Sequence, residues 1–136
     1  MKLSRTVSYA LQATLLLAQE GTAAPVPCRR LAAMGKMPER FLLQILRNLV
    51  AHGVLASTRG IEGGYMLERS ADRISLLDVI EAVDGPLAST LPCSDGLPAQ
   101  SRSRLVKALS GATNSTRREL AGVKLADLVP QTAKAR

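Results

Sequence analysis

Residues 38–69, PERFLLQILRNLVAHGVLASTRGIEGGYMLER, change period in their middle, and that change decides the fold. Up to His52 the apolar residues recur at helical spacing. At about 100° per residue, Leu42, Ile45, Leu46 and Leu49 share one side while Arg40, Leu43, Gln44 and Arg47 share the other. The first side is expected to be core and the second to face outward. Pro38 suits the first helical position, and Gly53 marks the stop. Beyond it, VLAST and YMLER are short runs of β type separated by RGIEGG, whose glycines permit the positive φ angles of a tight hairpin.

Upstream, Pro25 and Pro27 open the chain before CRRLAAM, a short helix expected to close at Gly35. Ser4 can cap a first helix in which Val7, Ala10, Leu11, Leu15 and Ala18 recur, and Gly21 ends it. Two helices joined by a short glycine-containing turn and followed by a hairpin make a winged helix-turn-helix. Downstream, Ser75 with Asp78 forms a weakened capping box for LLDVIEAVDG, and GPLASTLPCSDGLP is a loop. A last helix should cover about 99–121, with a poor middle at Ser110, Gly111, Thr113, Asn114, Ser115 and Thr116. VKLADLVP then gives a short extended piece and one more helical turn. The fold expected is mostly α with a small β-hairpin.

With 136 residues, 46% of them hydrophobic, the chain can build one domain with a core and about one extra element. Lys and Arg outnumber Asp and Glu by 18 to 11, and a pI near 10.1 favours a polyanionic partner, either nucleic acid or an acidic membrane surface. Residues 1–69 hold nine of these cations against four acids, and residues 70–136 nine against seven, so the positive potential concentrates in the first half. The apolar run Tyr9–Ala18 is interrupted by Gln12 and Thr14 and precedes no cleavage site, so neither a signal peptide nor a membrane span is expected. Cys28 and Cys93 lie far apart, which gives no disulfide framework and makes the cytoplasm the expected compartment. No P-loop or dinucleotide-binding glycine pattern appears, and one His with two distant Cys supplies neither a triad nor a zinc set; the chain is not expected to be an enzyme.

MKLSRTVSYAL, PERFLLQILRNLVAHGVL, STRGIEGGYML and ISLLDVIEAVDG, in this order and spacing, resemble the IscR-type regulators known as the Rrf-two family. The resemblance is firm over about residues 1–85 and loose beyond, and RGxxGGY directly after such a helix pair is its sharpest part. It implies a homodimeric, sequence-specific regulator of transcription, expected to repress, which binds a partly palindromic double-stranded DNA site. The corresponding division is a winged helix-turn-helix over 1–85, a sensor-type loop over 86–98, a long dimerisation helix and C-terminal segment over 99–129, and a disordered tail over 130–136. The competing readings are a winged-helix module that turns its basic face to an acidic protein, and an iron–sulfur or thiol-based redox sensor.

A recognition helix enters the major groove with one polar face on base edges, reached from its N-terminal half. Arg40, Gln44 and Arg47 occupy that face; Arg can donate twice to guanine, Gln can pair with adenine, and Leu43 between them can meet a thymine methyl. Arg59 opens the hairpin turn, where the resemblance places a side chain in the minor groove that reads A/T-rich shape. Gly60, Gly63 and Gly64 are expected to let the backbone approach DNA closely. Lys2, Arg5, Arg29, Arg30 and Lys36 are candidates for phosphate contacts, which set affinity without carrying sequence information.

Many members of the family hold an iron–sulfur cluster on three closely spaced cysteines before the dimerisation helix. Here PCSDGLPAQSRSRLVKAL offers only Cys93, and the first helix shows Ser8 and Gln12 where some members supply a further ligand from the partner subunit. Such clusters usually need four protein ligands, so no cofactor and no metal site are expected. Cys93, in a polar loop, is the candidate for redox sensing, while Cys28 sits with Leu31 and Ala32 as a small buried hydrophobe. His52 suits the negative end of its helix. Leu105, Val106, Leu109 and Ala112 give the last helix one apolar stripe, expected to face a second subunit.

Overall fold

The computed structural model describes residues 1–21, 24–60 and 63–130; the tail expected at 130–136 lies outside them from residue 131 on. Six helices and one hairpin follow in order: α1 (Arg5–Glu20), α2 (Cys28–Gly35), α3 (Glu39–Ala51), β1 (Leu55–Thr58), β2 (Gly64–Leu67), α4 (Leu76–Asp84), α5 (Ala99–Gly122) and α6 (Leu125–Leu128). A 3₁₀ turn at Ala71–Arg73, which the sequence pattern did not suggest, joins β2 to α4.

The helix ends follow their local chemistry. The Ser4 hydroxyl accepts from the Val7 amide at 3.2 Å, and Gly21 closes α1 at φ 58°, a conformation that costs glycine no Cβ clash. Ser75 and Asp78 form the reciprocal box, with the Ser75 amide donating to the carboxylate at 2.9 Å and the Asp78 amide to the hydroxyl at 3.0 Å. Two boundaries differ from expectation. Pro38 caps α3 from outside rather than opening it, and α2 runs through Gly35, leaving Lys36 as the left-handed residue at φ 54°. A Cβ on Gly35 would meet the end of the Met37 side chain at 2.5 Å, a contact that the flexible thioether can relieve by shifting. The weak middle of α5 does not interrupt it.

Leu42, Ile45, Leu46 and Leu49 of α3 are all buried, as their spacing requires, and they pack with Leu31 of α2, Ala10, Ala13 and Leu17 of α1, and Val79 of α4. The phase of α1 is shifted from the expected stripe. Val7, Ala10, Ala13, Thr14 and Leu17 are the buried residues, and Leu11, Leu15 and Ala18 only flank them. Thr14 is accommodated because its hydroxyl donates back to the carbonyls of Ala10 and Leu11 at 3.0 and 3.1 Å.

The strands pair antiparallel with Leu55 opposite Leu67 and Thr58 opposite Gly64. A third backbone segment joins them where the sequence showed only two prolines: the amides of Val26 and Tyr65 each donate to the other's carbonyl at 2.8 Å. Gly64 is buried beneath this crossing, and a Cβ on it would lie 2.5 Å from the Val26 carbonyl group. The segment after α5 also returns to the core. Lys124 pairs with Ser75, the Leu125 amide donates to the Ile74 carbonyl at 2.9 Å, and Leu125 is fully buried. Within 99–129, α5 therefore keeps no buried residue, whereas α6 becomes part of the first 85 residues' core.

Candidate nucleic-acid interface

Burial of one side of α3 leaves the other to solvent. Arg40, Gln44 and Arg47 are exposed, and Leu43 is half-buried, which limits how far it can reach. Phe41, at the first turn, is 45% exposed and meets Tyr9 edge-on, with ring centroids 5.7 Å apart. Arg5 lies one helical turn before Tyr9 and so shares its side of α1. Helical spacing alone puts Phe41 between the two faces of α3 and gives no signal of this contact.

The far half of α3 faces the wing. Arg47 and Val50 of α3, Pro27 and Cys28, and Ser57, Thr58, Arg59, Gly63, Gly64 and Tyr65 of the hairpin line an open cleft of about 530 Å³. Arg47 and Arg59 thus stand on opposite walls of one polar furrow, while Arg40 and Gln44 lie nearer the N-terminus of the helix. Gly60 keeps φ at 105°, a turn conformation closed to side-chain-bearing residues. Gly64, by contrast, is explained by the buried crossing with Val26, a role within the fold rather than at the surface.

Charge pairing sorts the cations. Among the described residues, Arg30 pairs with Glu20 at 3.2 Å, Arg69 with Asp78 at 3.5 Å, and Arg117 with Glu81. Lys2, Arg5, Arg29, Lys36, Arg40, Arg47 and Arg59 are exposed, and none of these seven has an ion-pair partner among the described residues. Arg30 is the one phosphate candidate already neutralised inside the chain. At the end of α3, His52 Nδ1 lies 2.8 Å from the Asn48 carbonyl, in keeping with a capping role. The Cys28 thiol rests 3.6 Å from the Glu39 carbonyl; partial burial, with the Glu39 carboxylate adding to it, pushes its pKa up and keeps it protonated.

Cys93 is exposed in the loop that α5 holds from below. Arg102 donates to the carbonyls of Ser94 and Leu97 at 3.2 and 3.0 Å, and the Ser89 hydroxyl donates to the Leu109 carbonyl at 3.0 Å. Among the described residues, no three His, Cys, Asp or Glu side chains gather where a metal ion could be held. No described helix is long and apolar enough to cross a membrane.

Residues 3–131 match a family model, Rrf2, described as an iron-dependent transcriptional regulator. A protein of Mycobacterium tuberculosis, named provisionally as an HTH-type transcriptional regulator, is 42% identical over 89 residues. That match covers 65% of this chain and 55% of the relative, so the chain spans little more than half of that relative's length. The HTH-type transcriptional regulator CymR of Bacillus subtilis is 30% identical over 100 residues, covering 74% of this chain and 72% of CymR. The solved structure of CymR, the global cysteine regulator of that organism, superposes with a TM-score of 0.76 over 94% of this chain and 95% of its own, at 26% identity. IscR of T. potens gives 0.72 at 27% identity over 100% of this chain and 91% of its own.

Proposed function

The chain belongs to the Rrf2 family of transcriptional regulators, and from that premise we propose that it represses transcription as a homodimer, binding a partly palindromic double-stranded DNA site in the cytoplasm without catalysing a reaction. The observation that carries this is the exposed side of α3, which presents Arg40, Gln44 and Arg47, with Arg59 of the wing facing Arg47 across the cleft and none of these three arginines in an ion pair among the described residues. With α3 in the major groove and the wing in the adjacent minor groove, one sugar–phosphate strand must pass between them. Arg47 then contacts phosphate, and base reading falls to Arg40 and Gln44 nearer the helix start.

Selection of bound sequences from a random pool tests this assignment. Gln44→Ala should relax the preference at one base position by about 1–3 kcal/mol of discrimination, while Arg59→Ala should weaken A/T-rich sites most. An unchanged selected sequence in Gln44→Ala would remove α3 from base recognition.

The family's description names iron, but this chain's donors do not fit an iron–sulfur cluster. The loop at residues 86–98 contains Cys93 as its one thiol, and two copies in a dimer would still leave such a cluster short of its usual four ligands. We therefore propose a cluster-free regulator in which any thiol-borne signal enters at exposed Cys93, since Cys28 is held protonated. Protein purified without oxygen should be colourless and bind its site, and mild peroxide should change affinity in the native chain and in Cys28→Ser but not in Cys93→Ser. Stoichiometric iron in that preparation would overturn the cluster-free proposal.

A further inference from the structure

Arg69 stands two residues past β2, at the root of the wing, and its guanidinium reaches three separate pieces of the fold. Nη1 donates to the Gly53 carbonyl at 3.0 Å, Nε to the Arg73 carbonyl at 3.3 Å, and Nη2 to a carboxylate oxygen of Asp78 at 3.5 Å. Gly53 is the turn that ends α3, Arg73 closes the 3₁₀ turn, and the same Asp78 oxygen accepts from the Ser75 amide that caps α4. Beside it the Glu68 amide donates to the Val54 carbonyl at 3.0 Å, and further along β2 Tyr65 exchanges two hydrogen bonds with Val26. We propose that Arg69 is a positioning residue that fixes the angle between α3 and the wing, and with it the spacing between the residues that read the major groove and Arg59 in the minor groove.

The chemistry favours positioning over stability. A two-stranded hairpin of four-residue strands is marginal by itself, and with the Val26 crossing holding β2 at Tyr65, the angle of the wing depends on how its root is fastened as well. Arginine presents donors in a rigid planar fork and can hold several acceptors at fixed angles, which a lysine ammonium on a flexible stem cannot. The side chain is 41% exposed, and an ion pair that is open to water adds little to folding. Its loss should therefore leave the core intact and free the wing to swing. None of its acceptors lies close in sequence to β2 except Arg73, so no local pattern announces this role.

This inference rests on the proposed DNA reading, and its test separates the two. In a Cys28→Ser, Cys93→Ser background, spin labels at Asn48→Cys and Thr58→Cys report the distance from helix to wing in the free protein. Arg69→Ala should broaden that distribution, and Arg69→Lys should recover it only in part. In binding to an A/T-rich duplex, Arg59→Ala should cost about tenfold in the native chain and much less once Arg69 is Ala, while the effect of Gln44→Ala stays the same in both backgrounds. An unchanged distance distribution, or effects of Arg59 and Arg69 that simply multiply, would overturn the positioning role. A native protein that binds no duplex while the distribution still broadens would instead overturn the DNA reading and leave the geometric role standing. If Arg69→Ala does not fold, the Arg69→Lys distance and binding measurements decide the matter.

Discussion

Raising salt from about 50 to about 200 mM is expected to weaken binding to a specific duplex by about 10³- to 10⁵-fold. Each phosphate neutralised by a protein cation releases condensed counterions, and the slope of log affinity against log salt is about −0.9 per contact. Of the seven candidate DNA-contacting cations, none in an ion pair among the described residues, Arg40 and Arg59 are assigned to the grooves, which leaves Lys2, Arg5, Arg29, Lys36 and Arg47 for phosphate. Two subunits double that set to about ten contacts, at the steep end of the range. The pairing pattern adds a sharper test. Arg29→Ala should reduce the slope by about one unit per subunit, whereas Arg30→Ala, whose charge already faces Glu20, should change it far less. A slope shallower than about −3 would mean that this face does not lie along a phosphate backbone.

Val106→Asp together with Leu105→Asp is expected to convert the proposed dimer to a monomer and to lower affinity for the proposed palindromic site by about 10²- to 10⁴-fold. α5 has no buried residue, and Leu105 and Val106 are 38% and 45% exposed on the stripe that includes Leu109 and Ala112. One edge of the helix is engaged within the chain, through Arg117 with Glu81 and Ser89 with the Leu109 carbonyl, which leaves Leu105 and Val106 as the more open part of the stripe. Burying a leucine or valine side chain contributes about 1.5–3 kcal/mol, so a charge placed at the centre of such a contact removes the reason for association. Two linked recognition units gain from a high effective concentration that one unit lacks, which makes the loss on DNA larger than the loss of any single contact. Sedimentation of the variant and titration against full and half sites measure both effects. A variant that still sediments as a dimer would place the subunit interface elsewhere.

Much of the fold was legible because it is written in short range. The capping groups Ser4 and Ser75, the left-handed Gly21 and the period of Leu42, Ile45, Leu46 and Leu49 act within one or two turns of helix, and the structure has each where its spacing requires it. The exposed side of α3, with Arg40 and Gln44 on it, follows from the same period. Errors appeared where two segments compete for one role. The glycine at position 35 suggests the end of α2, but the helix runs through it and Lys36 takes the left-handed turn instead. In α1 the apolar run Tyr9–Ala18, interrupted by Gln12 and Thr14, allows more than one stripe, and contact with α3 and α4 selects the one through Ala13 and Leu17.

By itself, then, the sequence determined the helices, the hairpin, the basic balance of the first half and the face that α3 turns outward, since caps, turns and periodicity are properties of neighbouring residues. Only the tertiary structure decided what depends on segments meeting at a distance. Val26 crossing Tyr65 makes Gly64 obligatory; Leu125 returns to a core begun more than a hundred residues earlier; Arg47 and Arg59 form two walls of one cleft; and Arg69 ties Gly53 to Asp78. No periodicity encodes such partners, because each contact is fixed by how whole elements pack once their apolar faces are buried together.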